Sequence, residues 1–385
     1  MKQFYPLSAF LTEYSEKNDG NKYRPVAVGR YGIRPRESIY SKELAKDYSK
    51  NKLIHKNTLT VGMGSVQIDI GILTEDITYS VSPAYHTYRI TGIDATYLRY
   101  CLECRNQDMF ARFVKRGSRQ GKTIDLKRWL TYEIPVYDMV RQAEIVDRLD
   151  RILGLIEKRK EQLLQLDQLV KSRFIELFGD PVANDKNWPI EELDSICSAI
   201  VDCPHSTPSY TAENTGYMCI RSSIVKKNHI LWDEIEYIPE HEYRQRILRK
   251  KPEKGDIIYT REGAILGIAA MIDRNCNVAL GQRSMLLSPN NSICLPQFLS
   301  VAMNFDSFLR KALGGISGSA SPHINVGDIK AFAIILPPIA LQEQFVTFVE
   351  QTDKSKYYSS LSSQCYRKVV NTYRQEWIKC QTSNF

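Results

Sequence analysis

A segment of this 385-residue chain returns, without a gap, two hundred residues later. Ile124-Asp125-Leu126 recurs as Ile324-Asn325-Val326, and Trp129, Tyr132, Ile134 and Val136 meet Ile329, Phe332, Ile334 and Leu336. Gln142 falls opposite Gln342 at the same spacing. Upstream the match is weaker: Tyr97-Leu98 resembles Phe298-Leu299, and Gly64 resembles Gly263. Near the start, Tyr5-Pro6 corresponds to Trp188-Pro189, a shorter offset that places extra residues of the second half within Asp202–Ser223. Solenoid repeats run to ~20–50 residues. A period this long describes instead a duplicated domain of mixed helix and strand, followed each time by the same kind of element.

That element is a helix. Leu149, Ile156, Leu163, Val170 and Leu177 recur every seven residues, and Ile145, Ile152 and Leu166 fill a second heptad position, the seam of a coiled coil. Arg159 and Arg173 interrupt the second row. Gly179-Asp180-Pro181 stops the helix, as glycine followed by proline should. Nearly forty residues at ~1.5 Å each make a rod of roughly 55 Å. Its counterpart runs from about Leu341 to Ile378 with a poorer stripe, Phe345, Phe348, Thr352, Leu361, Cys365 and Tyr373, broken by Lys354-Ser355-Lys356. One amphipathic rod cannot bury its stripe alone, whereas two in one chain can bury theirs together. Leu149, Ile156, Leu163, Leu166, Val170, Phe345, Phe348 and Leu361 are therefore the expected positions of helix packing or partner docking. The expected division is a domain over 1–138, a helix over 139–180, a second domain over 181–338, and a helix with its tail over 339–385.

The formal net charge of +8 leans toward a polyanionic partner. Acids and bases balance along the first helix, so the excess lies in the globular parts. In the first, Arg112, Lys115, Arg116, Arg119, Lys122, Lys127 and Arg128 crowd one segment, where Gly117, Ser118 and Gly121 predict a loop. In the second, Arg244, Arg246, Arg249, Lys250, Lys251, Lys254 and Arg261 form a comparable cluster. The loop that matches the first is glycine- and serine-rich, Gly314 to His323. Small residues admit phosphate to backbone amides, and arginine forks reach guanine edges. A solvated basic face would explain either cluster alone; two clusters on two related domains favour DNA. The candidate contacts are Arg112, Lys115, Arg116, Arg119 and Lys122 in the first domain. In the second they are Arg244, Arg246, Lys250, Arg261, Arg283, Ser317, Ser319 and His323. Gly117 to Thr123 imitates a phosphate-binding loop but has one residue too few between its glycines and no apolar strand before it.

No complete catalytic or cofactor motif is present, so no catalytic or metal-binding residue is assigned. The six histidines are dispersed, and His241-Glu242 lacks the second histidine of a zinc-protease helix. Nine cysteines, an odd number, contain one tight pair, Cys101 and Cys104, whose helical spacing suits packing better than metal. The most apolar stretch, Ala331 to Leu341, is broken by Pro337-Pro338 and too short to span a bilayer. Free thiols and an N-terminus without an apolar signal core fit the cytoplasm.

Gly255-Asp256-Ile257-Ile258-Tyr259-Thr260-Arg261-Glu262-Gly263, the run from Ile329 to Pro338 into Leu341-Gln342-Glu343-Gln344, and Tyr79 to Tyr85 in the first half carry a resemblance. With the repeat, the chain resembles the specificity subunits of type I restriction–modification systems over essentially its whole length. The resemblance implies an α+β protein with two similar globular DNA-recognition domains separated by two long antiparallel coiled-coil helices. It implies double-stranded DNA, two methyltransferase subunits and restriction–translocase subunits as partners, with no membrane involved. It implies no cofactor of the chain's own, S-adenosylmethionine, ATP and magnesium being held by the partners, and no catalysis by the chain itself. Each domain would read half of a bipartite site. The competing readings are a non-catalytic coiled-coil adaptor with protein-binding ends, and a self-contained enzyme, for which the motifs and the length are lacking.

Overall fold

The computed structural model describes residues 2–19, 22–39, 47–117, 121–314, 322–356 and 372. It divides the chain into two compact units, one built on Met1–Arg159 and one on Lys160–Ser360. In the first, strands β1 (Gln3–Pro6), β2 (Leu11–Glu13), β3 (Val26–Gly29), β4 (Gly32–Pro35), β5 (Lys52–Ile54), β6 (Thr58–Met63), β7 (Ile68–Leu73), β8 (Tyr79–Val81) and β9 (His86–Ile90) precede helix α1 (Ala95–Phe113). Strands β10 (Val114–Gly117) and β11 (Gly121–Ile124), helix α2 (Leu126–Trp129), strand β12 (Glu133–Val136) and the long helix α3 (Met139–Phe178) follow. The second opens on β13 (Ile190–Glu192), α4 (Leu193–Ile196), β14 (Cys197–Asp202), β15 (Met218–Ile220), β16 (Val225–Lys226), β17 (His229–Ile230), β18 (Glu236–Tyr237) and α5 (Glu240–Arg246). It continues through β19 (Ile257–Thr260), β20 (Ala269–Met271), β21 (Val278–Leu280), β22 (Ser284–Pro289), α6 (Pro296–Met303), α7 (Asp306–Leu313), α8 (Val326–Lys330) and β23 (Ala333–Ile335). Residues 339–356 are helical.

The duplication is structural. The central antiparallel sheet runs β2-β9-β6-β7 in the first unit and β14-β22-β19-β20 in the second. Alternation along β7 sends Ile68, Ile70 and Ile72 toward Tyr97, Leu98 and Met109 of α1. In the second unit Ile257, Tyr259, Met285 and Leu287 face Phe298, Leu299 and Met303 of α6 in the same way. The opposite faces differ. The hairpin β3–β4 covers the first, where a Cβ on Gly71 would lie 2.6 Å from Ile33 Cγ1, so only glycine admits the approach. The second is covered by the three-stranded sheet β18-β15-β21, through Ile220, Val278 and Leu280.

Buried amides repeat with the fold. Gln142 Oε1 accepts from the Asp94 N–H at 2.9 Å, where α1 begins, and its amide donates to Tyr137 O at 2.7 Å. Gln342 accepts from the Leu295 N–H at 2.8 Å, where α6 begins, and donates to Pro337 O at 2.8 Å. Asn106 brackets Ile68 of the edge strand β7, at 3.0 and 2.8 Å, and Asn304 brackets Ala269 of the edge strand β20, at 3.0 and 2.7 Å. Asn106 satisfies an edge residue that would otherwise be left unpaired, whereas Ala269 O also accepts from the Asn228 N–H at 2.9 Å.

Two sequence expectations are corrected. Tyr5 pairs with Ile134, and the residue that pairs with Ile334 is Glu191, so Trp188-Pro189 lies three residues before the true counterpart of Tyr5-Pro6. Trp188 serves another purpose, donating Nε1–H to Phe178 O at 3.0 Å and closing the end of α3. The added length of the second half occupies residues 203–256 against 14–57 in the first, and includes α5, well beyond Ser223.

Helix α3 ends as its glycine dictates: Gly179 adopts φ +76° and its N–H reaches Ile175 O at 2.8 Å. Leu149, Ile156 and Val170 are buried, and Leu163 and Leu166 are half-buried with Ile152, Leu153 and Arg159, while the other residues between Leu149 and Val170 are exposed. Within the first unit Leu149 joins the core of α1 and the sheet; within the second, Val170, Phe174 and Phe178 join the core with Phe345 and Val349. Phe345 lies 5.4 and 5.5 Å from the rings of Phe174 and Phe178, Phe348 lies 6.0 Å from the Arg173 guanidinium, and Lys356 reaches Asp167 at 2.8 Å. The later helix thus runs antiparallel to α3. Lys356 is an ion-paired member of that helix and not an interruption. Leu361 lies outside the described residues. No described helix is long and apolar enough to cross a membrane.

Candidate nucleic-acid interface

In each unit one end of the sheet gathers the basic elements. In the first it is the end where β2 and β6 finish and β7 and β9 begin. The expected basic loop is a two-stranded ribbon growing straight out of α1: Val114 opposes Ile124, Lys115 opposes Thr123, Arg116 opposes Lys122, and Gly117 opposes Gly121. Gly121 takes φ +82°, a conformation that suits glycine at the tight end of the ribbon. Lys122 donates to Ser65 O at 2.6 Å, in the turn joining β6 and β7, and lies 5.2 Å from the Phe110 ring of α1. A hairpin also disposes of the phosphate-loop likeness, which needs a strand leading into a helix.

The ribbon's cations have local partners. Arg112 meets Asp108 at 2.7 Å and Lys115 meets Asp125 at 2.8 Å. The Lys115 ammonium and the Arg128 N–H hold the Asp125 carboxyl below its ordinary range. Both basic side chains are well over half exposed. Such exposed pairs contribute little to stability and can be exchanged for a phosphate. The Arg116 side chain and Arg119 fall outside the described residues.

The second unit uses its arginines differently. Arg246 is buried, with Glu242 at 3.0 Å and Ser206 O at 2.9 Å. Arg261 is buried in a fork on Asp202, at 2.9 and 3.1 Å, with Glu262 at 2.8 Å. Arg249 donates to Asp202 O, Gln282 to His205 O and Thr207 Oγ1, and the Ser209 N–H to Glu242. These side chains clamp residues 202–209 at the end of β14, so Arg246 and Arg261 shape a loop and cannot face a ligand. Lys250 is committed to the buried Asp256 at 3.4 Å, and Arg244 forms an exposed pair with Glu240.

Like Arg249, Arg283 is an exposed arginine at this end. It holds φ +70°, a left-handed backbone that a large side chain adopts at a cost. Its carbonyl accepts from the Arg261 N–H at 3.0 Å, beside Gly263. His323 bridges Glu262, and the Gly263 N–H bonds Pro322 O, which roots the glycine–serine loop here. Ser317 and Ser319 lie outside the described residues. The clamp was not read from the sequence; Glu242 four residues before Arg246 was its one local signal. Cys101 is buried among the α1 core, and burial pushes its thiol up to about 12. No cluster of three or more metal-ligating side chains occurs among the described residues.

Residues 186–358 match the family model described as the type I restriction modification DNA specificity domain. Among curated proteins the chain is similar to the type I restriction enzyme EcoKI specificity subunit of Escherichia coli K12, 24% identical over 242 residues. It is likewise similar to the EcoBI specificity subunit of Escherichia coli, 24% identical over 243 residues. Each alignment covers 57% of this chain, and the chain spans about half the length of these relatives, 50% and 51%. Among solved structures, the type I restriction–modification S subunit of M. genitalium aligns with a TM-score of 0.57 and 13% identity, over 98% of this chain and 96% of that one. A structure described as the basis of complex assembly and conformational transition of the type I system aligns at 0.52 and 15% identity, over 98% and 97%.

Proposed function

We propose that this chain, whose residues 186–358 match the type I restriction modification DNA specificity domain, is a specificity subunit of that family, which reads DNA for catalytic partners. Each unit reads one half of a bipartite double-stranded site with the end of its sheet. Two methyltransferase subunits dock on the helices and modify adenine with S-adenosylmethionine, and restriction–translocase subunits join them with ATP and magnesium. The chain itself is not catalytic, and the complex works in the cytoplasm. One observation carries this reading: the same four-stranded sheet occurs twice, and each copy gathers exposed cations and glycine-bounded loops at the same end. Phosphate contacts supply affinity there, and base edges reached by the loops supply specificity.

Mapping modified adenines in cells with and without the protein tests it. The expected outcome is a two-part methylated sequence that vanishes when the protein is removed. An unchanged methylation pattern, in cells where the methyltransferase is expressed, would overturn the reading.

A further inference from the structure

On the face of the first sheet opposite α1, a second ribbon reaches the same end. β3 and β4 pair Val28 with Ile33 and Gly29 with Gly32, so the turn between them is Arg30-Tyr31. Contacts along the ribbon fix its direction. Pro25 bridges Ser80, and Val26 packs with Ile54, Leu73 and Val81, where β7 finishes. Farther along, the Tyr85 hydroxyl donates to Val28 O at 2.9 Å. The Tyr85 ring lies where a Cβ on Gly62 would come within 2.4 Å of it, and Gly62 is near the end of β6. The tip is thus directed toward the end of the sheet at which Lys122 is tied to Ser65. Two ribbons, one on each face, flank the turn between β6 and β7.

The root of the second ribbon is apolar and packed, and its tip is exposed. Tyr31 is 70% exposed, the guanidinium groups of Arg30 and Arg34 lie 5.7 and 5.1 Å from its ring, and neither arginine meets a carboxylate among the described residues. The stacked cations order a ring that no core covers. A flat aromatic face between two positive charges suits a polyanion with flat groups of its own, phosphates for the arginines and a base or sugar for the ring.

We propose that the β3–β4 ribbon is a second DNA-contacting element of the first unit, with Arg30 and Arg34 on phosphates and Tyr31 on a base edge or sugar. The proposal rests on the DNA-reading function above and adds a contact outside the basic cluster from Arg112 to Arg128. The purified full chain is titrated, across a salt series, into fluorescein-labelled duplex fragments of host genomic DNA. In parallel, bromodeoxyuridine-substituted duplex is irradiated with the protein and the crosslinked peptide is identified. Arg30→Ala with Arg34→Ala should flatten the salt dependence by about one unit of slope per charge. Tyr31→Ala should weaken binding roughly tenfold, Tyr31→Phe should bind as the wild type does, and the crosslinked peptide should contain Tyr31. Arg30 and Tyr31 lie at the exposed tip, and Arg34 is a half-buried residue of β4 opposite Ala27, so a urea midpoint at the wild-type value is the check that each variant keeps the fold. Wild-type affinity and slope in these variants, with Lys122→Ala still reducing the slope, would overturn the second ribbon and leave DNA reading intact. No binding of duplex by the wild-type chain would overturn both. Unchanged DNA binding with loss of the methyltransferase subunits would make the tip a protein-docking surface and also overturn the proposal.

Discussion

Gln142 and Gln342 each hold the start of one helix and the carbonyl of a residue five positions earlier, so a single amide ties each domain to the helix that follows it. Gln342→Leu keeps the volume but strands buried groups at Leu295 and Pro337, at about 1–3 kcal/mol for each. Urea unfolding of the full chain should show a lower midpoint at an unchanged slope; an unmoved midpoint would mean that water replaces the amide. This pair was legible because it keeps the two-hundred-residue spacing. Asn106 and Asn304 do equivalent work but sit off that spacing, and nothing local marks them. Arg246 and Arg261 were read as DNA contacts because a sequence shows charge and not its partners; Asp202, which holds Arg261, lies 59 residues away. Glu242 gives this clamp a pH signature. Burial opposes its ionisation, but the Ser209 N–H and the Arg246 guanidinium outweigh that and hold its carboxyl below the ordinary 4.5. Because the folded value is depressed, the stabilisation is complete above the ordinary value and is lost as pH falls through the lower one. Glu242→Gln should therefore lower the urea midpoint most near neutral pH and converge on the wild type in acid. An equal deficit at every pH would show that the charge of Glu242 contributes nothing.

Helix α3 was the most legible element, because a heptad row states its own period, length and buried face. The second helix was legible from the repeat and from a weaker stripe, diluted by Lys356, and only its antiparallel direction came from family resemblance. Thr352 and Lys356 are accommodated: the Thr352 hydroxyl donates to Phe348 O at 2.9 Å, and Lys356 spans Asp167 and Asp353. Burial would lower the Lys356 value, yet the two carboxylates hold it raised. The β10–β11 ribbon was read as a loop for the opposite reason. Lys115, Arg116, Lys122 and Thr123 show no apolar alternation, and a ribbon with two polar faces carries no strand signal. Leu163 and Leu166 lie on the half-buried seam midway along α3. Leu163→Asp and Leu166→Asp should each destabilise helix packing, since a carboxylate there is desolvated without a partner. Co-purification with methyltransferase subunits and the urea midpoint together check this. Both variants behaving as wild type in both measurements would show that the seam packs against nothing that matters for assembly.

At the scale of the molecule, duplication without identity is the property that most constrains function. The sheet, its pinning asparagines and the glutamine ties are held in common. What covers the far face differs, a hairpin in the first unit and a three-stranded sheet in the second, and so do the segments at the basic end. On the proposed function, shared parts set position and unshared parts set what is read. The first unit's core is closed by contacts among residues 7–153, including the first turns of α3, so it can be exchanged without opening the second. Replacing Met1–Tyr137 with the matching domain of a relative should change one half of the methylated sequence and leave the other half and the stability of the second unit as they were. The junction matters. Gln142 must still find the carbonyl of residue 137 and the N–H at the start of α1, so the donor domain has to carry both at the same spacing. Sequencing of modified adenines in cells expressing the chimera reads the outcome directly. A methylated sequence altered in both halves, from a chimera whose second unit unfolds at the wild-type midpoint, would mean that the two units do not read DNA independently.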